Sequence, residues 1–192
     1  MNEDVTKNNF YNSFLTKIKS QKKKIFLSIF IIFLIVIFLF YNNYKNQKEN
    51  LIVSNNFNKA KIFIEQKNLE KSKEILLNII KMKNRFYSPM ALYLIIENKL
   101  LKDPSKISEL FDEVLDISEI DNEDLNLIKI KKVVFLFNSI SENEILELLQ
   151  PISNSKSVWR SNAIKLLIDY YTFKGESLKA KEFKNLQLSF NN

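Results

Sequence analysis

The strongest pattern in the sequence is one uninterrupted apolar segment, residues 25–41. It reads IFLSIFIIFLIVIFLFY and contains no charged residue, glycine or proline. As a helix with a rise of about 1.5 Å per residue it would be roughly 25 Å long, close to the ~30 Å apolar thickness of a bilayer. Three lysines precede it at 22–24, and Tyr41 and Tyr44 stand at its other end, as aromatic residues do at membrane interfaces. The pattern predicts a transmembrane helix over residues 25–41, a tail over residues 1–24 and a separate domain over residues 42–192.

Two other interpretations of residues 25–41 fit the pattern less well. A helix in a small soluble core usually keeps a polar stripe, which this segment lacks. A cleaved signal peptide has a shorter apolar region followed by small residues, whereas this segment leads into Tyr41-Asn42-Asn43-Tyr44. The residues therefore favour a retained membrane anchor.

After residue 42, apolar residues recur every three or four positions, and breaks between them delimit eight short helices. A break at Lys67-Asn68 separates the first two. Ser88-Pro89 and Asp103-Pro104 each predict a helix start, because the side-chain oxygen can accept from a free amide and proline lacks an amide that would go unpaired. A fifth helix is predicted over residues 123–140, and its apolar segment 133–137 is expected at the centre of the domain.

Further signals delimit the last three helices. Ser141 and Glu144 form a capping-box pattern, which opens a short helix predicted to end before Pro151. Gly175 suits a left-handed helix end between helices at 157–174 and 176–190. No stretch alternates over strand length, and one glycine cannot supply many hairpin turns. We therefore predict an all-α protein, in which a single transmembrane helix is followed by about four helical hairpins.

A spaced pattern of small and large residues suggests that the hairpins form a repeat. The pairs are Ser72 with Ile75, Ser108 with Phe111, and Ala180 with Phe183. Their starts are 36 and then 72 residues apart, with the intervening position at Glu144. This period is close to that of tetratricopeptide repeats, in which a small residue lets two helix backbones approach. The spacing favours a tetratricopeptide-like α-solenoid.

The net charge of +7 is concentrated before the apolar segment. Residues 1–24 carry +4, from six lysines against Glu3 and Asp4, and residues 42–192 carry +3, from twenty-three Lys and Arg against twenty Asp and Glu. Short lysine-rich segments stay on the cytoplasmic side of a membrane. We therefore expect a single-pass membrane protein with a cytoplasmic N-terminus and with residues 42–192 on the far side of the membrane. Nucleic-acid binding is not indicated, because the domain itself is only weakly basic.

Histidine and cysteine are both absent, which excludes thiolate chemistry, histidine-based catalysis and nearly all zinc sites. Eight carboxylates between Glu109 and Asp124 form a run without a basic residue. A paired-carboxylate enzyme site or a Ca²⁺ loop is one interpretation of this run. The spacing favours a solvated helix face, because the carboxylates at 109–116 lie opposite the apolar residues of the same helix. We expect no enzyme activity, no cofactor and no metal site.

Residues 146–175 carry a family resemblance. Leu148-Leu149-Gln150-Pro151 closes a leucine-rich helix, Trp159-Arg160 leads a helix with the small residue Ala163, and Gly175 ends it. In these features the chain resembles the tetratricopeptide-like inner-membrane proteins related to the YfgM-type ancillary subunit of the SecYEG translocon. It departs from them at Val158, where proline is common, and in the loss of most small residues from the first two hairpins. The resemblance implies a scaffold that is anchored in the bacterial inner membrane by a single pass, with a periplasmic domain. It also implies association with translocon subunits, periplasmic chaperones and exported proteins.

Aromatic and basic residues supply candidates for a partner-binding surface. Tyr93, Tyr170 and Tyr171 would line a concave groove, since aromatic side chains contribute contact area at low entropic cost. The spacing alone does not separate a groove-lining tyrosine from a packed one. Arg160 is interpreted as a surface contact beside Trp159, whose spacing indicates a core position.

Charge supplies further candidates. Asp112, Asp116 and Glu119 belong to the acidic run, whereas the final hairpins are rich in lysine, so the domain is electrically polarised along its length. This polarity would orient partners, or align two copies head to tail in a homo-oligomer. We therefore expect protein partners, either at the translocon or, as the alternative, in the assembly of another cell-envelope or respiratory complex.

Overall fold

The computed structural model describes residues 22–189, with side chains at all of these positions except 22, 25, 28, 29, 42, 43, 45, 46 and 189. Within this range the chain forms eight α-helices and no strand. They are α1 (Lys22–Glu65), α2 (Leu69–Lys81), α3 (Tyr87–Glu97), α4 (Pro104–Leu115), α5 (Asn122–Leu136), α6 (Glu142–Ser153), α7 (Arg160–Phe173) and α8 (Ser177–Ser189). The predicted all-α class is confirmed. Residues 1–21, which make up most of the predicted tail, lie outside the described residues.

The chain divides into two compact units, Met1–Leu51 and Ile52–Asn192. The described part of the first unit belongs to α1. Its described large apolar side chains between Phe26 and Tyr41 are all exposed, and the least exposed of them, Val36, is 41% exposed. Among the described residues, no helix combines the length and the apolar character that a membrane crossing requires. The transmembrane helix over residues 25–41 therefore stays a prediction.

In the second unit each helix packs on the next one in the sequence. Each helix from α2 to α7 contacts the helix that follows it. Two further contacts skip one helix and join α2 to α4 and α5 to α7. The 52–65 part of α1 packs on α2, where the carbonyl of Ala60 accepts a 3.0 Å hydrogen bond from the buried Ser72 hydroxyl. The small side chains at this contact let the two helix backbones approach closely.

Buried residues recur at i, i+4 and i+7 in α2, α4 and α6, the second helices of the first three hairpins. The buried sets are Ser72/Leu76/Ile79, Ile107/Phe111/Val114 and Ile145/Leu149/Ile152. Their first members are 35 and 38 residues apart, and buried Ala180 in α8 follows after another 35. The position equivalent to Ser72 is therefore Ile107. The predicted pair beginning at Ser108 is one residue out of register, because Ser108 is only half-buried.

Helix α5 stands between two hydrophobic clusters and contributes side chains to both, one formed with α1–α4 and the other with α6–α8. The expectation that residues 133–137 lie at the centre holds for Val133 and Leu136, which are buried. It fails for Val134 and Phe135, which are 55% and 42% exposed. Helices α4, α6 and α7 contact α5, and the side that carries these two residues is left open.

Several helix ends follow the sequence signals. Asp103 caps α4 by accepting from the backbone amide two residues on, with a proline in the first turn. Ser141 accepts from the amide three residues on at 3.2 Å and opens α6. Gly175 follows α7 with φ +75°, and Lys67 and Lys99 adopt the same left-handed conformation after α1 and α3, with φ 60° and 52°.

Two predicted helix ends are wrong. Ser88 does not cap α3, which begins at Tyr87; its buried hydroxyl instead donates to carbonyls at the end of α2, at 3.0 and 3.4 Å. Helix α6 does not end before Pro151 but continues to Ser153. Because Ile152 and Ser153 are buried, tertiary packing holds this last turn helical although the proline supplies no amide.

Candidate interaction groove

A mostly apolar groove of about 340 Å³ lies on the second unit between α3 and α5. We call it the α3–α5 groove. Its lining residues are Tyr93, Ile96, Glu97, Phe111, Lys131, Val134 and Phe135. Of the seven residues predicted to form a partner-binding surface, Tyr93 alone lines this groove.

The apolar character of the groove comes from residues that the fold leaves uncovered. Val134 and Phe135 occupy the open side of α5, while Ile96 on α3 is half-buried beside them. Soluble proteins commonly expose single apolar side chains, whereas adjoining ones that line a groove form a candidate interaction site. An apolar side chain of a partner would remove this surface from water.

The polar edge of the groove is formed by Tyr93, Lys131 and Glu97. The ammonium of Lys131 lies 4.2 Å from the ring centroid of Tyr93, which is a cation–π contact between α5 and α3. Burial, and to a smaller extent the negative charge of Asp124, raises the pKa of Tyr93 to about 12. The phenol therefore stays protonated at neutral pH and can donate a hydrogen bond. The edge offers two donors and one carboxylate acceptor to the backbone or polar side chains of a partner.

The placement of Tyr170 and Tyr171 on a partner-binding surface is wrong, since both side chains are only 2% exposed. Tyr170 packs edge to face on Phe137 with ring centroids 5.8 Å apart. Tyr171 stacks on Phe183 of α8, with centroids 5.7 Å apart. The two rings lie in the cluster formed by α5–α8, so they hold the last hairpin together.

A group of charged residues fastens α8 to α6 and α7. The hydroxyl of Tyr171 donates to Glu142 at 3.0 Å, and the ammonium of Lys179 lies 2.8 Å from carboxylate oxygens of both Glu142 and Glu176. The hydrogen bonds that Glu142 accepts from Lys179 and Tyr171 lower the pKa of Glu142. The hydrogen bonds that Lys179 donates to Glu142 and Glu176 raise the pKa of Lys179. Burial, together with the hydrogen bond to Glu142, raises the pKa of Tyr171 to about 12. Local sequence patterns do not predict this group, because its members come from three helices and from the connection between α7 and α8.

Arg160 and Glu119 lie away from the α3–α5 groove. The guanidinium Nε of half-buried Arg160 donates to the carbonyl of Ser153 at 2.9 Å and so closes the end of α6. Its neighbour Trp159 is half-buried against the second cluster, which confirms the predicted core role. Glu119 is exposed and lines a separate small groove of about 210 Å³ together with Phe86.

Asp112 lies on the exposed face of α4 and Asp116 is the exposed residue that follows its C-terminal end, as the predicted solvated acidic face requires. Both also form ion pairs within the domain. Asp116 lies 3.0 Å from the Lys83 ammonium, and Asp112 lies 2.7 Å from the ammonium of Lys132. These carboxylates therefore join α4 to its neighbours, and any partner would have to compete with the two lysines.

Lys132 is a buried cation that the sequence pattern did not predict. It is 2% exposed and lies 2.7 Å from Asp112 on α4 and 2.7 Å from Glu144 on α6. A signal was present, because Lys132 stands midway between Ile128 and Leu136, which are also buried. Four-residue spacing on a helix places all three on one face.

Within the range that the structure describes, no group of three or more Asp and Glu side chains could hold a metal ion. The chain matches no protein-family model, no curated protein and no solved structure. Two features of its own described residues bear on function, the α3–α5 groove and the exposed apolar surface of residues 30–41.

Proposed function

We propose that the chain is a membrane-anchored, tetratricopeptide-like scaffold that binds another protein through the α3–α5 groove. The observation that carries this proposal is the groove itself, in which Val134 and Phe135 leave apolar surface open to water. Catalysis has no part in the proposal. The resemblance in residues 146–175 supports a place at the Sec translocon, together with periplasmic chaperones and exported proteins.

The exposed apolar residues support the anchor. From Phe30 to Tyr41 every residue of α1 is exposed, so the apolar surface surrounds the helix on all sides. Each Å² of such surface costs about 25 cal/mol in water, which a bilayer would remove. The lysines that precede the segment support a cytoplasmic N-terminus and a periplasmic second unit.

The packing order and burial pattern support the repeat architecture. Every helix of the second unit contacts its neighbour in the sequence, and buried triads recur after 35 and 38 residues. This spacing is near the period of about 34 residues of tetratricopeptide repeats. Stacked hairpins of this kind present extended surfaces on which a partner segment can lie.

Site-specific photo-crosslinking in membranes tests the groove and its partner. A photoreactive amino acid would replace Val134, and a matched one would replace exposed Lys165 on α7. We expect SecY-type subunits or periplasmic chaperones to crosslink to position 134 and not to position 165. Crosslinks from both positions alike would contradict a role for the groove. Subunits of a different envelope complex at position 134 would support the alternative assembly function.

Protease accessibility tests the proposed topology. Protease added to spheroplasts should remove the part of the chain after Tyr44, whereas in intact cells this part should be protected. Protection in both preparations would place the second unit in the cytoplasm and contradict the proposed scaffold.

A further inference from the structure

A second and larger groove, of about 740 Å³, runs along the first hairpin between the 52–65 part of α1 and α2. We call it the α1–α2 groove. The residues that line it include Lys59, Phe63, Lys71, Glu74, Ile75 and Lys81. On α2 these residues lie opposite Leu76 and Ile79, which are buried towards the following helices. The groove is therefore the outer edge of the helix stack.

Positive charge surrounds the apolar floor of this groove. The ammonium groups of Lys59 and Lys71 lie 6.0 and 5.6 Å from the ring centroid of Phe63. Neither these two lysines nor Lys81 forms an ion pair with a carboxylate in the described part of the chain. Glu74 is the only acidic residue that lines the groove, so positive charge is in excess.

The shape of the groove fits a helix. Two adjacent helices form a channel into which the side-chain ridge of a third can pack, and the end of a repeat stack needs either a polar cap or a further helix. Helix α8 at the other end of the stack is a poor candidate for this position in a second copy. Its exposed Lys181 and Lys184 would bring positive charge against positive charge.

We propose that the α1–α2 groove binds an amphipathic helix of a partner protein, whose apolar stripe is flanked by Asp and Glu. Its apolar side chains cover Phe63 and Ile75, and its carboxylates pair with the lysines on the two sides. This site is separate from the α3–α5 groove and does not depend on the function proposed for that groove.

The proposal is tested by fluorescence anisotropy with two labelled synthetic peptides and the full chain in phosphatidylcholine nanodiscs. Both peptides form helices with the same leucine stripe, which is flanked by Glu in one and by Lys in the other. We expect saturable binding of the Glu peptide alone. Reversing both charges with Lys59→Glu and Lys71→Glu should weaken it by about tenfold or more, and the neutral pair Lys59→Gln and Lys71→Gln by about threefold.

A matched control reverses two exposed lysines elsewhere, Lys165→Glu and Lys181→Glu, and should leave peptide binding unchanged. An equal loss in this control, or equal binding of the Lys peptide, would overturn the proposal. In a competition experiment, short-chain phosphatidylglycerol is added below its critical micelle concentration to the complex with the Glu peptide. If it displaces the Glu peptide in a manner that requires Lys59 and Lys71, the groove is a lipid-headgroup site and the assignment to a protein helix is wrong.

Discussion

Replacing Lys132 by methionine should leave the protein as stable as before or make it more stable. The buried ammonium lies 2.7 Å from each of two carboxylates, Asp112 and Glu144. At this distance each pair has a gross attraction of about 6 kcal/mol at an effective dielectric constant near 20. Desolvation of a buried ion costs several kcal/mol, and the pair with Asp112 is screened because that side chain is 62% exposed. These contributions nearly cancel, whereas methionine fills a similar volume at no electrostatic cost.

We therefore expect Lys132→Met to change the free energy of unfolding by between about zero and a gain of 2 kcal/mol. The paired substitution Asp112→Asn with Glu144→Gln should instead destabilise the protein by about 3 kcal/mol, because it leaves the ammonium buried without a counter-charge. Urea unfolding in detergent micelles would measure both, followed by the fluorescence of Trp159, the single tryptophan. A loss above about 2 kcal/mol for Lys132→Met, or below about 1 kcal/mol for the double variant, would refute the reasoning.

The same residue predicts a pH dependence. Burial alone would lower the pKa of Lys132, but hydrogen bonds to Asp112 and Glu144, and the attraction of their charges, raise it above its usual 10.5. The folded state thus holds this proton more tightly than the unfolded state does. The stabilisation is complete below pH 10.5 and is lost as the pH rises through the folded pKa. Wild type should lose stability relative to Lys132→Met above pH 10.5, and parallel pH profiles would contradict this.

Three further predictions concern helix ends, tyrosines and helix contacts. Lys99→Gly should stabilise the protein by about 0.5–1 kcal/mol, because glycine adopts the left-handed backbone conformation without the strain of a side chain. Gly175→Ala should destabilise it by about 1 kcal/mol for the converse reason. Urea midpoints that move the other way would contradict the assigned conformations. Absorbance titration at 295 nm should show Tyr93 and Tyr171 among the seven tyrosines ionising near pH 12, and Tyr93→Phe should remove one of these late steps. An unchanged late step would show that Tyr93 is solvated. Ser72→Ala should lower the free energy of unfolding by about 1 kcal/mol because a hydrogen bond is lost, and Ser72→Leu by about 3 kcal/mol or more because of steric overlap. Thermal unfolding would measure both, and equal stability of the two variants would refute close helix packing at this position.

Local signals were sufficient for much of the secondary structure. Asp103 caps α4 and Gly175 ends α7 because each acts on backbone groups a few residues away, through a side-chain acceptor or through access to left-handed φ. The apolar spacing predicted helices α2 to α8 for the same reason, since a helix face repeats within one or two turns. It did not predict that the first short helix after residue 42 continues the helix of the apolar segment, as α1 does. Ser88 is an exception to this dependence on local signals. Its position before a proline is typical of a cap, but its hydroxyl bonds to carbonyls of another helix.

Residues whose role depends on another helix could not be assigned from the sequence. Tyr93 and Tyr170 both stand in apolar helix segments, yet Tyr170 is buried and packs against Phe137, whereas Tyr93 remains at a groove edge. Val134 and Phe135 were expected in the core, and they are exposed because no described neighbour covers their side of α5.

The sequence by itself therefore determined that the described part of the protein is all-α and where most of its helices begin and end. These properties depend on backbone hydrogen bonds and on periodicity within a single helix. Only the tertiary structure decided that Lys132 is buried between two carboxylates, that Tyr170 and Tyr171 are core residues, and that the two grooves exist. Burial and charge pairing depend on which helix faces lie against one another, and that is fixed by contacts between residues distant in the chain.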